Sequence, residues 1–206
     1  MSAAAFGALC VSSLFTVIDP IGVAPVFASM TARNDARARR RVALRACLAA
    51  LAVLAVFATS GSALLRLFGV TIEAFRIGGG ILFVLLGLSM LRGGDHASTG
   101  ESAPEDPSIV PLGIPLIGGP GAMTTVMVLV GQAESVVHVA ALAAALVVVL
   151  ALTWVVLAAA PALLARFGAT GTALTTRIMG LVVLVIGVQF VIDGVVPIAR
   201  AIVAPA

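Results

Sequence analysis

The sequence predicts an all-α polytopic membrane protein, with six transmembrane helices arranged as a 3+3 inverted repeat and the first helix of each half broken. Three observations carry this. Of the 206 residues, 61% are hydrophobic and 10% charged, with a mean hydropathy of +1.21, against roughly half apolar and a quarter charged in soluble domains. The apolar residues fall into six stretches, each close to the ~20 residues a helix needs to cross the hydrocarbon layer. Landmarks in the first three stretches recur, in order, in the last three.

The first apolar stretch, near 4–30, lacks the basic start and small-residue cleavage pattern of a secretory signal, so it is expected to be retained as a span. It contains "DPIGVAPVF", Asp19 to Phe27, an acid and two prolines where a membrane helix should have neither. A proline removes its own N–H and frees the carbonyl four residues earlier, so Pro20 and Pro25 release the carbonyls of Thr16 and Ile21. Asp19-Pro20 is also the order of a helix N-cap followed by a first helical residue. Asp19 precedes Arg33 by about 21 Å of helical rise, within a hydrocarbon layer about 30 Å thick. A charge there needs an interior, a cavity or a partner.

The second stretch, near 42–67, follows a connection holding six of the twelve cations, all of them arginine: Arg33, Arg37, Arg39, Arg40, Arg41 and Arg45. The positive-inside rule makes this connection cytoplasmic and gives it anionic lipid headgroups as partner. No aromatic-basic surface accompanies it, which excludes nucleic acid. Both termini are then outside. Arg92, Arg166 and Arg177 fall inside, and Arg66, Arg76 and Arg200 are the exceptions. Cys10 and Cys47 belong to different spans, toward opposite membrane faces, and cannot form a disulfide.

The third stretch, near 72–91, opens with Arg76, a cation at a helix start where the dipole disfavours it; Glu73, one turn earlier, offers an ion pair. A Gly, Ser, Pro and acid-rich connection follows. It divides one transmembrane domain into half 1 (1–92), a cytoplasmic linker (93–108) and half 2 (109–206).

The fourth stretch, near 109–131, carries "PLIGGPGAMTT". Pro115 and Pro120 share the spacing of Pro20 and Pro25; Ala122, Thr124 and Thr125 follow as Ala28, Ser29 and Thr31 do in the first half. Gly119-Pro120-Gly121 offers a second helix restart. The fifth stretch lies near 136–164 and the sixth near 175–198, with Gln189 and Asp193 toward its end. "LLARFGAT" (Leu163 to Thr170) matches "LLRLFGVT" (Leu64 to Thr71), and "RIMG" at Arg177 matches "RIGG" at Arg76. An odd number of spans per half makes the repeat inverted, a construction that places substrate sites near the midplane at discontinuous helices.

Helix N-termini suit a carboxylate, while freed carbonyls and an acid suit an ammonium or a proton, so the two breaks together describe a site for a small zwitterion. Gly22, Gly118, Gly119 and Gly121 allow close approach, and Thr124 and Thr125 add hydroxyls. The expected pathway is therefore Asp19, Pro20, Gly22, Pro25, Gly118, Gly119, Pro120, Gly121, Thr124 and Thr125, with Arg76, Arg177, Gln189 and Asp193 gating or pairing. An intramembrane aspartyl enzyme would have to pair Asp19 with Asp193, neither in a Gly-x-Gly-Asp context. His138 lacks a serine nucleophile motif. The expectation is a non-enzyme without cofactor or metal.

The stretches "DPIGVAPVF", "LFGVTIEAFRIGGGILF", "VPLGIPLIGGPGAMTTVMVL", "TTRIMG" and "VQFVIDG", with the arginine-rich connection, resemble in that order the MarC family of bacterial and archaeal integral membrane proteins, related to the LysE-like exporters. The resemblance covers nearly the whole chain. It implies six spans, a bacterial inner-membrane location and transport of small neutral amino acids such as glycine and alanine. The combined expectation is a secondary transporter of that class, proton-coupled through Asp19, with a homo-oligomer compatible. The rivals are an exporter of another small metabolite or drug and a membrane assembly protein.

Overall fold

In lipid a lone span must satisfy its backbone polar groups internally, which leaves the helix. The computed structural model describes residues 1–31, 34–67, 69–92, 108–164 and 168–203, and among them only helices and short connections occur. The first span is α1 (Ala3–Ile18) continued by α2 (Pro20–Met30). α3 (Ala36–Leu67) and α4 (Ile72–Leu91) complete the first half. The fourth span joins a π-helical segment, Ser108–Ile117, to α5 (Pro120–Gly131), and α6 (Val136–Leu164) and α7 (Gly168–Val203) follow.

Five stretches of the described residues, Ala3–Ala28, Ala36–Gly61, Ile72–Leu91, Val136–Ala160 and Gly180–Val203, are long and apolar enough to cross a membrane. α5 has 12 residues, about 18 Å of helix, and reaches across only together with the π segment. In that segment Pro111 and Pro115 cannot donate to the helical ladder. Gly118 N–H closes the π turn on Gly113 C=O at 2.9 Å.

Side-chain caps set several boundaries. Ser2 Oγ accepts from Ala5 N–H at 3.3 Å, Asp35 Oδ1 from Ala38 at 2.6 Å and Thr71 Oγ1 from Ala74 at 3.1 Å. Asp35 thus starts α3 six residues before the expected 42, and Arg37, Arg39, Arg40, Arg41 and Arg45 ride on its first turns. The sixth helix likewise begins at Gly168 rather than 175. Arg33, Arg166 and linker residues 93–107 lie outside the described residues, and Ser108, expected in the linker, already belongs to the π segment.

The first span of each half packs on the second span of the other. α1 and α2 lie along α6, while the π segment and α5 lie along α3. Phe6, Cys10, Leu14 and Ile18 recur every fourth residue on α1 and are fully buried, as are Val149 and Leu157 of α6. Cys10 and Cys47 are both free and buried. Large apolar side chains such as Val147, Val155, Leu181 and Val185 face outward, as lipid contact requires.

The third spans pack on each other, α4 antiparallel to α7, through glycines seven residues apart: Gly80 and Gly87 against Gly187 and Gly180. A Cβ at Gly80 would lie 2.6 Å from Gly187 O, one at Gly187 2.7 Å from Gly80 O and one at Gly87 2.6 Å from Gly180 O. Gly194 continues the row, its Cβ position 2.7 Å from Glu73 O. Seven residues are nearly two helical turns, so the glycines form one stripe. Without side chains the backbones approach closely enough for Cα–H···O contacts, the small-residue packing that joins helices in lipid.

Candidate functional site

Asp19 ends one helix and starts the next. Its backbone sits at φ 44, ψ 68, a left-handed conformation that L-residues adopt reluctantly and that Asp and Asn tolerate best. Its N–H donates to Phe15 C=O at 3.0 Å, closing α1, and its C=O accepts from Val23 N–H at 3.0 Å, opening α2. Its carboxylate Oδ1 accepts from Gly22 N–H at 3.0 Å. Pro20 takes the first helical position, where no N–H is needed. At Gly22 any side chain would run into that carboxylate. α2 passes through Pro25 unbroken.

The second break repeats this backbone order without the acid. Gly119 is extended (φ -74, ψ -179) and no side chain caps α5. Pro120 again holds the first position, Met123 N–H donates to Gly119 C=O at 3.0 Å and Thr124 Oγ1 donates to Pro120 C=O at 2.7 Å. Pro120 is buried with its ring against Gly79 of α4. The structural counterpart of Pro20 is therefore Pro120, which corrects the pairing of Pro20 with Pro115 and of Pro25 with Pro120. Proline spacing alone is equal for both pairings; the position of the helix restart decides.

The two breaks face one cavity of about 80 Å³, lined by Asp19, Gly22, Val23 and Val26 on one side and Leu116, Ile117, Gly119, Gly121 and Ala122 on the other. Phe83 of α4 and Val183, Ile186 and Phe190 of α7 close it, with Phe83 and Phe190 edge to face at 5.6 Å and 84°. A second cavity of about 480 Å³ continues toward the face that carries the start of α1 and the end of α7, and Val17, Gly121 and Phe190 line both. At Gly121 an added Cβ would stand 3.1 Å from Val17 and 3.4 Å from the Phe190 ring. These three residues are the partition between the cavities.

Asp19, Gly22, Gly119 and Gly121 of the expected pathway thus line the smaller cavity, and Gly121, Thr124 and Thr125 the larger. Pro20, Pro25, Gly118 and Pro120 stay out of both; Gly118 packs on Ala50 of α3. Asp19 lines the cavity and is exposed rather than buried. Arg76 and Asp193 line the larger cavity, and Gln189 Nε2 donates to Asp193 Oδ1 at 2.7 Å. The expected Glu73–Arg76 ion pair does not form; Glu134, just past the end of α5, instead comes within 4.0 Å of the Met1 amino group. Arg177 is exposed near the opposite end of α7, away from both cavities. Asp19 and Asp193 line different cavities. His138 is buried on Phe6, ring centroids 4.8 Å apart, and its Nε2 lies 3.2 Å from Met1 O, where it fastens the N-terminus to α6.

The reading from sequence missed the α4 and α7 wall, Phe83, Val183, Ile186 and Phe190, and also Ser13 and Gln132 of the larger cavity. In helices apolar on every side, one phenylalanine looks like the next. The seven-residue glycine spacing was the available signal that α4 and α7 meet.

The profile described as "MarC family integral membrane protein" matches residues 5–199. A UPF0056 membrane protein of Methanocaldococcus jannaschii is 35% identical over 193 residues, covering 91% of this chain and 94% of its own. UPF0056 membrane protein YhcE of Escherichia coli is 33% identical over 189 residues, 88% of each chain, and a UPF0056 membrane protein of Aquifex aeolicus 34% over 199 residues, 92% of this chain and 93% of its own. No solved structure matches.

Proposed function

The chain belongs to the MarC family of integral membrane proteins, and we propose that it is a secondary transporter of small neutral amino acids of the glycine and alanine class. We place it in a bacterial inner membrane, with the arginine-rich connection cytoplasmic and the termini periplasmic. The observation that supports this reading is the cavity where two half-helix N-termini converge with a single carboxylate between them.

The chemistry follows from the asymmetry of the breaks. The first turn of α5 has no side-chain cap, so its N–H groups and dipole are offered to a substrate carboxylate. Across the cavity Asp19 accepts the ammonium. At about 80 Å³, against roughly 10–15 Å³ needed by one water, the cavity suits a small solute and disfavours bulky side chains. A proton and an ammonium compete for the same carboxylate, which couples substrate release to protonation of Asp19. Rocking of the group formed by α1, α2 and α6 against the group formed by the π segment, α5 and α3 would expose the cavity to each side in turn.

Purified protein in proteoliposomes is expected to support counterflow of glycine or alanine, with a rate that responds to an imposed pH gradient. If a panel of small amino acids gives no exchange above protein-free vesicles, the reading is wrong, whatever other solute is then found to move.

A further inference from the structure

The larger cavity holds one cation and one anion that do not neutralise each other. Arg76 and Asp193 both line it. They stand at one level of the α4–α7 seam, since Gly194 packs on Glu73 O and Ile77 N. Arg76 has no ion-pair partner among the described residues, and Asp193 has only Gln189 on Oδ1, leaving Oδ2 open. Both are half-buried within apolar helices. Unpaired charges at such a place are costly, and where they persist they mark a pathway or ligand. Two opposite charges too far apart to pair, facing one cavity, leave a gap that a zwitterion would bridge.

We propose that this cavity is a second binding site, a vestibule for free α-amino acids, in which the Arg76 guanidinium takes the carboxylate and Asp193 the ammonium. The inference rests on the transport reading above and deepens it. A planar guanidinium grips a carboxylate through two parallel hydrogen bonds, and Ser13, Thr125 and Gln132 on the same wall supply neutral donors and acceptors. At about 480 Å³ the vestibule is indifferent to side-chain size, whereas the 80 Å³ cavity behind Val17, Gly121 and Phe190 is not. Recognition is thereby divided: the vestibule reads the amino-acid backbone and the inner cavity reads the side chain. A large neutral amino acid enters the first site, cannot pass to the second, and blocks the path.

The test is inhibition of alanine counterflow by leucine, by leucinamide, which lacks the carboxylate, and by 4-methylpentanoate, which lacks the amine. Leucine is expected to inhibit the wild-type protein, and both analogues to inhibit poorly. In Arg76→Gln and in Asp193→Asn leucine should weaken by about tenfold or more, the size expected for one charge-assisted hydrogen bond, until it inhibits no better than its analogues. Two independent variants, each required to elute as a single species before reconstitution, separate loss of recognition from loss of fold. If leucine fails to inhibit the wild-type protein, or inhibits both variants as it does the wild type, the vestibule site is refuted. If the wild-type protein exchanges no alanine, the transport reading fails by itself. The vestibule is then judged by equilibrium dialysis of leucine against detergent-solubilised protein, where equal binding by wild type and Arg76→Gln overturns it.

Discussion

At Asp19 the chain asks one side chain for a conformation, a cap and a charge. The left-handed φ of 44 and the Gly22 N–H···Oδ1 bond of 3.0 Å need only a short side chain ending in an acceptor oxygen, and Asn meets both needs as well as Asp. The charge is different, because it alone can bind an ammonium or a proton. Asp19→Asn should therefore melt within about 0.5 kcal/mol of the wild type, since Asn and Asp are equivalent N-caps, yet lose the response of counterflow to a pH gradient. Asp19→Ala should lose that response and about 2–3 kcal/mol, the usual ~1 of an N-cap together with the roughly 1–2 that a left-handed backbone costs alanine. Thermal unfolding in detergent beside counterflow checks the pair. An Asn protein that still responds to the gradient would remove Asp19 from proton coupling and leave it a cap. That an acid sits at this break was legible from sequence, because Asp-Pro in an apolar run has few other uses. That the facing break has Gly119 in the same place, so that the cavity sets one carboxylate opposite one uncapped helix end, required the fold.

At the scale of elements, the α4–α7 seam holds the wall of the inner cavity. Phe83 lies between Gly80 and Gly87, and Phe190 between Gly187 and Gly194, so the glycine stripes fix how deeply both rings reach in. Gly79 seats the Pro120 ring and ties the second break to the same seam. A side chain at Gly187 would meet Gly80 O at 2.7 Å and Val84 N at 2.6 Å, backbone atoms that cannot turn aside. Gly187→Leu is accordingly expected to destabilise by about 1–3 kcal/mol, the range for overpacking. Gly78→Leu is the matched control, since nothing lies within 4 Å of a Cβ there, and it should melt as the wild type does. Equal melting of the two variants would show that the seam does not hold these helices. The spans themselves were readable because length and hydropathy decide them; α4 occupies Ile72–Leu91 and α6 Val136–Leu164, matching 72–91 and 136–164. Helix faces were not readable, because periodicity needs a polar side for contrast and these helices have none. The π segment was also hidden, since Pro111 and Pro115 signal a disturbed helix without saying which wider turn relieves it.

For the whole molecule, each half is incomplete without the other. α1 and α2 find their main partner in α6, the π segment and α5 find theirs in α3, and α4 finds α7, so every one of these interfaces joins the first half to the second. Only the connection through residues 93–107 links them covalently. If the interfaces carry the assembly, the peptide link is dispensable once the protein has folded. A protease site inserted between residues 93 and 107 and cut in detergent should then leave two fragments that elute as one species and, after reconstitution, still exchange alanine. Fragments that separate under conditions where the uncut protein stays monodisperse would mean that the interfaces are too weak alone and that the connection holds the halves together. Fragments that remain together but stop exchanging would assign the connection a part in the movement itself. Rocking about the α4–α7 seam predicts the first outcome, because the seam joins the halves at the cavity wall while leaving each broken helix bound to the half it does not belong to.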